Sequence, residues 1–158
     1  MIRAKKNQQP AKIFTVGVAK KGAENFFELL ELHQITNVID VRLYGNTQFA
    51  GFAKAPDLKF FLSRISRIEY KNDLKLAPEE NSLKLYQQKI ISWEEYAAEF
   101  ERQFKERRGV QHILQNYSDS PEIRQCLLCT EVSPQNCQRR LVAEKFAQIF
   151  DGMEIVHL

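Results

Sequence analysis

Apolar and polar positions follow two different periods along this chain, and each change of period marks an element. "KIFTVGV", residues 12–18, is a continuous β-branched and aromatic run closed by Gly17, the pattern of a strand covered on both faces. In "GAENFFELLELHQ", Phe26, Leu29, Leu30 and His33 recur at helical spacing and predict an amphipathic helix. "NVIDV" is a second buried strand. "LYGNTQFAGFAKAP" reads as a long loop rich in aromatics, and "DLKFFLSRIS" as a helix with Leu58, Phe61, Leu62 and Ile65 on one face. "RIEY" predicts a short strand, whereas residues 71–91 are too polar and irregular to assign. Ser92 and Glu95 have the spacing of a capping box and open a helix whose inner stripe is Trp93, Tyr96, Ala97, Phe100 and Phe104. "CLLCTE" is a strand, and Asn136 is expected to cap a closing helix with Val142, Phe146, Ile149 and Phe150 facing inward. "MEIVHL" ends the series as a strand.

Strands that are uninterrupted apolar runs, alternating with helices, predict an α/β fold. The expected architecture is a mainly parallel sheet flanked by helices on both faces, a three-layer, Rossmann-like arrangement. The strands near Ile13, Val38 and Leu127 should be parallel neighbours or near-neighbours. Ligands in such sheets bind beyond the carboxyl ends of the strands. Four places fall there: Gly17 onward, Asp40 to Arg42, Tyr70, and Cys129 to Glu131.

A chain of 158 residues with 44% hydrophobic and 27% charged positions is globular and suits one domain. Residues 1–11, with Arg3, Lys5 and Lys6 before Pro10, read as a mobile basic arm, and residues 12–158 as a single α/β domain. The net charge of +3 permits an acidic partner without demanding one. No apolar run reaches the length of a membrane span and the amino-terminal residues lack a signal-peptide core, so the expected location is cytoplasmic. Three cysteines without an export signal fit reduced thiols.

All three cysteines lie in "CLLCTEVSPQNCQRR", residues 126–140. Their spacing is poor for structural zinc, and Cys126 and Cys129 point to opposite faces of one strand. His33, His112 and His157 follow no ligand spacing, so neither a metal nor a cofactor is implied. Cys137 falls where a helix begins, and helix amides together with Arg139 and Arg140 favour its thiolate, although no resolving cysteine is evident beside it. A small buried residue is the plainer reading of Cys137. The connection from strand to helix, followed by arginines, suits a phosphate or carboxylate. Glu131, just past the strand, is placed like a general acid or base, or else as an ion-pair partner of Arg139 or Arg42. Asp40 and Arg42 share one face of their strand, and Tyr44, Phe49 and Phe52 follow in a loop suited either to stacking on a planar ligand or to covering the core. "GVAKKGA" is no phosphate loop, because Ala23 and Glu24 stand where lysine and serine or threonine are needed.

"TVG" at the end of the first strand, "DVR" at the end of the second, a Phe-containing loop, an aromatic after a short strand, and "LLCTE" with "CQRR" near the end together resemble the domain of unknown function 488 family, over about residues 13–146. The resemblance implies a soluble bacterial or archaeal α/β domain whose activity is not established. Two departures stand out. Val18 and Ala19 follow Gly17 where the family commonly has histidine and serine, and Gln138 stands in place of a histidine. Both remove a side chain able to carry protons or bind metal.

Two functions from different classes fit these residues. One is an enzyme, a hydrolase or transferase, acting on a nucleotide-like or phosphorylated ligand. Its catalytic candidates are Glu131, Asp40 and Cys137, and its ligand contacts Arg42, Arg139, Tyr44, Tyr70 and Cys129. The other is a module that binds a nucleotide or a nucleic-acid segment without chemistry.

Overall fold

The computed structural model describes residues 9–45 and 50–158. The basic arm assigned to residues 1–11 lies largely outside the described residues, as does Phe49. Among the described residues five strands form one sheet: β1 (Lys12–Gly17), β2 (Asn37–Asp40), β3 (Glu69–Asn72), β4 (Gln125–Cys129) and β5 (Glu154–His157). The order is β3-β2-β4-β1-β5, and each neighbouring pair is parallel. The strands anticipated near Ile13, Val38 and Leu127 are therefore neighbours, with β4 between the other two.

Among the described residues six α-helices surround the sheet: α1 (Ala23–Leu32), α2 (Ala55–Phe61), α3 (Glu80–Gln87), α4 (Trp93–Glu106), α5 (Gly109–Asn116) and α6 (Gln138–Ile149). Strand alternation divides the core in two. Phe14, Val16, Val38, Cys126 and Leu128 pack with Phe26, Leu30, Leu58 and Leu62 on the α1 and α2 side. Ile13, Ile39, Leu127 and Cys129 pack with Phe100, Phe104, Ile113, Val142 and Phe146 on the α4, α5 and α6 side. This is the three-layer α/β fold. Cys126 and Cys129 sit on opposite faces, as alternation requires.

The capping box of α4 is present: the Ser92 hydroxyl accepts from the Glu95 amide, and the Glu95 carboxylate accepts from the Ser92 amide. Three local expectations need correction. Ile65 is 57% exposed, because the end of the α2 segment widens into a π-helical turn over Leu62–Ser66 and rotates Ile65 off the buried face. Of the two roles open to Phe52, the structure shows core cover: its ring lies against Phe26 and Phe27. Tyr70 sits in the middle of β3, not beyond its end. The cap of α6 is Cys137, one residue later than Asn136, and it caps with no side-chain hydrogen bond.

The chain leaves β2 toward β3 and leaves β4 toward β5, in opposite directions across the sheet. Connections that part above adjacent strands open a crevice at their carboxyl ends. In this chain that crevice belongs to Asp40–Arg42 and Cys129–Glu131.

Candidate functional site at the carboxyl edge

A cleft of about 610 Å³ opens at this edge, lined by Ala19, Arg42, Leu43, Tyr44, Leu83, Gln87, Cys129, Thr130, Glu131 and Gln138. Its volume is in the range of small-ligand sites. Another depression, about 410 Å³ along β3 and α5, includes Tyr70, Lys71 and Tyr117 and lies away from these groups.

Beneath the cleft, Asp40 and Arg42 form a buried, two-pronged ion pair. Arg42 Nε donates to Asp40 Oδ1 at 2.9 Å and Nη2 to Oδ2 at 2.7 Å. The Arg42 amide also reaches Oδ1 at 3.0 Å, and the Tyr70 hydroxyl donates to Oδ2 at 2.7 Å. Four donors fill the carboxylate of Asp40, one of the catalytic candidates, and occupy its lone pairs. Burial alone would lower the Arg42 pKa, but the hydrogen bonds and charge of Asp40 hold it above the ordinary guanidinium value. Burial and then the Asp40 charge push the Tyr70 phenol up. Arg42 Nη2 further donates to the Ala53 carbonyl at 2.8 Å. Its remaining nitrogen, Nη1, is buried and has no acceptor among the described residues.

Arg139 is placed differently from the expectation that it would face an anion. It is fully buried and is the largest side chain to be so among the described residues. Its Nη1 donates to the Glu131 carbonyl, Nη2 to the Val132 carbonyl at 3.1 Å, and Nε to Thr15 Oγ1 at 3.3 Å. The guanidinium thus holds the loop after β4 against the end of β1. Thr15 Oγ1 lies 2.7 Å from His157 Nδ1. Burial, then the charges of Arg139 and Arg140, depress the His157 pKa, which suits an Nδ1 that accepts from Thr15. Gly17 completes this packing, since a Cβ there would overlap the Glu131 carbonyl oxygen.

Glu131 and Arg139 meet through that backbone carbonyl and not through the carboxylate. The Glu131 side chain is exposed, pairs with neither Arg139 nor Arg42, and is the one carboxylate on the cleft lining. Tyr44, about half exposed, stands at the rim, where a hydrogen bond to Glu80 raises its phenol pKa.

Cys129 and Cys137 come together across the loop. The Gln138 amide touches both sulfurs, with Nε2 3.0 Å from Cys129 Sγ and Oε1 3.7 Å from Cys137 Sγ. Arg139 Nη1 lies 3.5 Å from Cys137 Sγ. A hydrogen bond from Cys129, aided by Arg139, holds Cys137 below the ordinary thiol range. That same bond, together with burial, pushes Cys129 well up. The cysteine that the fold brings to Cys137 is Cys129, eight positions earlier in the chain. Among the described residues no three His, Cys, Asp or Glu side chains gather closely enough to hold a metal ion.

Of the polar residues on the cleft lining, Gln87, Thr130 and Gln138 were not site candidates from the sequence. Gln138 had a signal: it occupies the position where the resemblance puts a histidine. Thr130 had none. Residues 22–146 match the family described as Domain of unknown function DUF488. The chain belongs to this family. The match begins after β1, so Gly17, packed against the Glu131 carbonyl, stands outside the part of the chain that the DUF488 family covers. No curated protein and no solved structure matches the chain. No helix among the described residues is long and apolar enough to cross a membrane.

Proposed function

We propose that this DUF488 domain binds a small ligand bearing a phosphate or carboxylate group, nucleotide-like in size, in the cleft beside Arg42. The observation that carries the reading is the unpartnered Nη1 of Arg42. A buried charged donor without an acceptor is destabilising by on the order of 1–3 kcal/mol or more, and a ligand anion seated against Arg42 would relieve it. Thr130 and Gln138 add neutral donors on the same lining, and Leu43, Leu83 and the ring of Tyr44 supply apolar walls for the rest of a ligand. One charged fork among neutral donors and apolar walls suits a single anionic group on an organic body.

Titration with inorganic phosphate and with a nucleoside monophosphate, followed by amide NMR, tests this. The expected result is saturable shifts at residues 42, 130 and 138, with tighter binding of the nucleotide and loss of both in Arg42→Lys. Lysine keeps the charge but loses the fork. Shifts scattered over surface lysines, or none at millimolar ligand, would sink the reading.

A second reading, hydrolase or transferase chemistry on that ligand, is favoured by Glu131 alone. It is a carboxylate at the cleft with no side-chain partner among the described residues, placed to receive or deliver a proton. Glu131→Gln should then abolish turnover of a phosphate ester while leaving ligand affinity within a factor of a few. If the variant and the parent both bind without turnover, the domain is a binding module.

A further inference from the structure

We propose that Cys129 and Cys137 form a redox-active dithiol, which a hydroperoxide converts to an intramolecular disulfide and a reducing thiol restores. The inference goes beyond ligand binding and does not depend on it.

Three features of the surroundings point to reactive sulfurs. The first is proximity: Cys129 ends β4, Cys137 caps α6, and the one Gln138 amide touches both sulfurs. The second is charge. Arg139 touches Cys137, and Arg42 lies within electrostatic reach of Cys129, so a thiolate in the pair has a guanidinium on either side. The third is a surplus of donors. The Tyr96 hydroxyl is buried without a partner, and Cys129 and Cys137 are the groups whose charge it senses most. The Gln138 amide nitrogen and Arg139 Nη1 already donate to the two sulfurs. Donors in excess of what two neutral thiols can use are what a thiolate needs. Cys126 shares none of this. It is on the other face of the sheet, and burial pushes its thiol far up.

The chemistry balances with the hydroperoxide as the only co-reactant. One sulfur of the pair, as thiolate, attacks the hydroperoxide. An S–O bond forms, the O–O bond breaks, and the leaving alkoxide takes a proton from water to become an alcohol. The second thiol then attacks that sulfur: the S–S bond forms, the S–O bond breaks, and the departing hydroxide leaves as water with the second thiol's proton. Two electrons pass from the two sulfurs to the peroxide oxygens. Cys129 lines the cleft, which gives a small oxidant its approach.

The test uses the full native chain and hydrogen peroxide at one equivalent, followed by denaturing alkylation, intact mass and peptide mapping. Two of the three free thiols should be lost, with a mass lower by two hydrogens and a single Cys129–Cys137 linkage, all reversed by dithiothreitol. Cys126→Ser should leave this unchanged. Cys129→Ser and Cys137→Ser should each prevent it, and the remaining thiol of the pair should instead be captured as a sulfenic acid. Three thiols still alkylated after peroxide, a linkage that involves Cys126, or direct overoxidation of Cys137 without a disulfide would each overturn the proposal. Because the wild-type chain gives the decisive readout, poor folding of a variant leaves the result intact.

Discussion

The carbonyl oxygen of Glu131 occupies the space in which a side chain at Gly17 would have to sit. The end of β1 and the loop after β4 are thereby in backbone contact, and Arg139 closes the contact from below. Gly17→Ala must push backbone away, since the opposing atom is no flexible side-chain tip. Overpacking of this kind is destabilising by roughly 1–3 kcal/mol. Urea unfolding should show a lower midpoint at unchanged slope. An alanine variant as stable as the parent would mean that the loop has room to move.

Arg139 itself is a structural cation with backbone acceptors. Arg139→Met should leave the part-buried Glu131 and Val132 carbonyls without this donor and lower stability by on the order of 1–3 kcal/mol in total. Arg140→Met, the neighbouring arginine with a fork partly in solvent, should change stability by well under that amount. Equal effects at both positions, read by thermal or urea unfolding, would contradict the carbonyl role.

Asp40→Asn removes the charge that balances a buried guanidinium. Breaking one side of a buried pair typically costs about 3–5 kcal/mol. Tyr70→Phe removes a single donor to the same carboxylate, and a loss of about 1 kcal/mol is expected. The ordering of the two variants by urea midpoint is the check.

Acid stability should depend on Asp73, which is buried and accepts from the Tyr117 hydroxyl and from His112 Nε2. Burial works to raise its pKa, but those hydrogen bonds outweigh it and hold the carboxyl below its ordinary value of 3.8. The unfolded chain therefore binds the proton first as pH falls. The stabilisation is fully present above about 3.8 and is lost as pH drops through the lower folded value. In Asp73→Asn that part of the acid dependence should vanish, with lower stability at neutral pH. A parallel acid slope in parent and variant would remove Asp73 from the account.

The sheet was legible because its strands are uninterrupted apolar runs, and α4 because Ser92 and Glu95 carry its cap. Residues 71–91 hid α3, since Glu80–Gln87 buries little more than Ser82 and so has no apolar stripe to read. Helix α5 was missed because its cap, Arg108, takes a left-handed backbone with no side-chain signal. At the site, alternation placed Asp40 and Arg42 on one face correctly. What it could not give was the inward direction of Arg139, or the course of residues 130–136 that returns Cys137 to Cys129. Both depend on where a loop turns, and loop direction has no period.

Strand β4 is the fourth to be made, yet it lies between the first two, and β1 has no hydrogen bond to β2. On the ribosome, the nascent chain therefore carries β1 and the β2–β3 pair as separate pieces with bare edges until residue 129 has cleared the exit tunnel. Loop closure over more than a hundred positions joins them late, so this domain folds after synthesis of most of its length rather than during it. Until then, its apolar strands are open to any chain or chaperone that reaches them first.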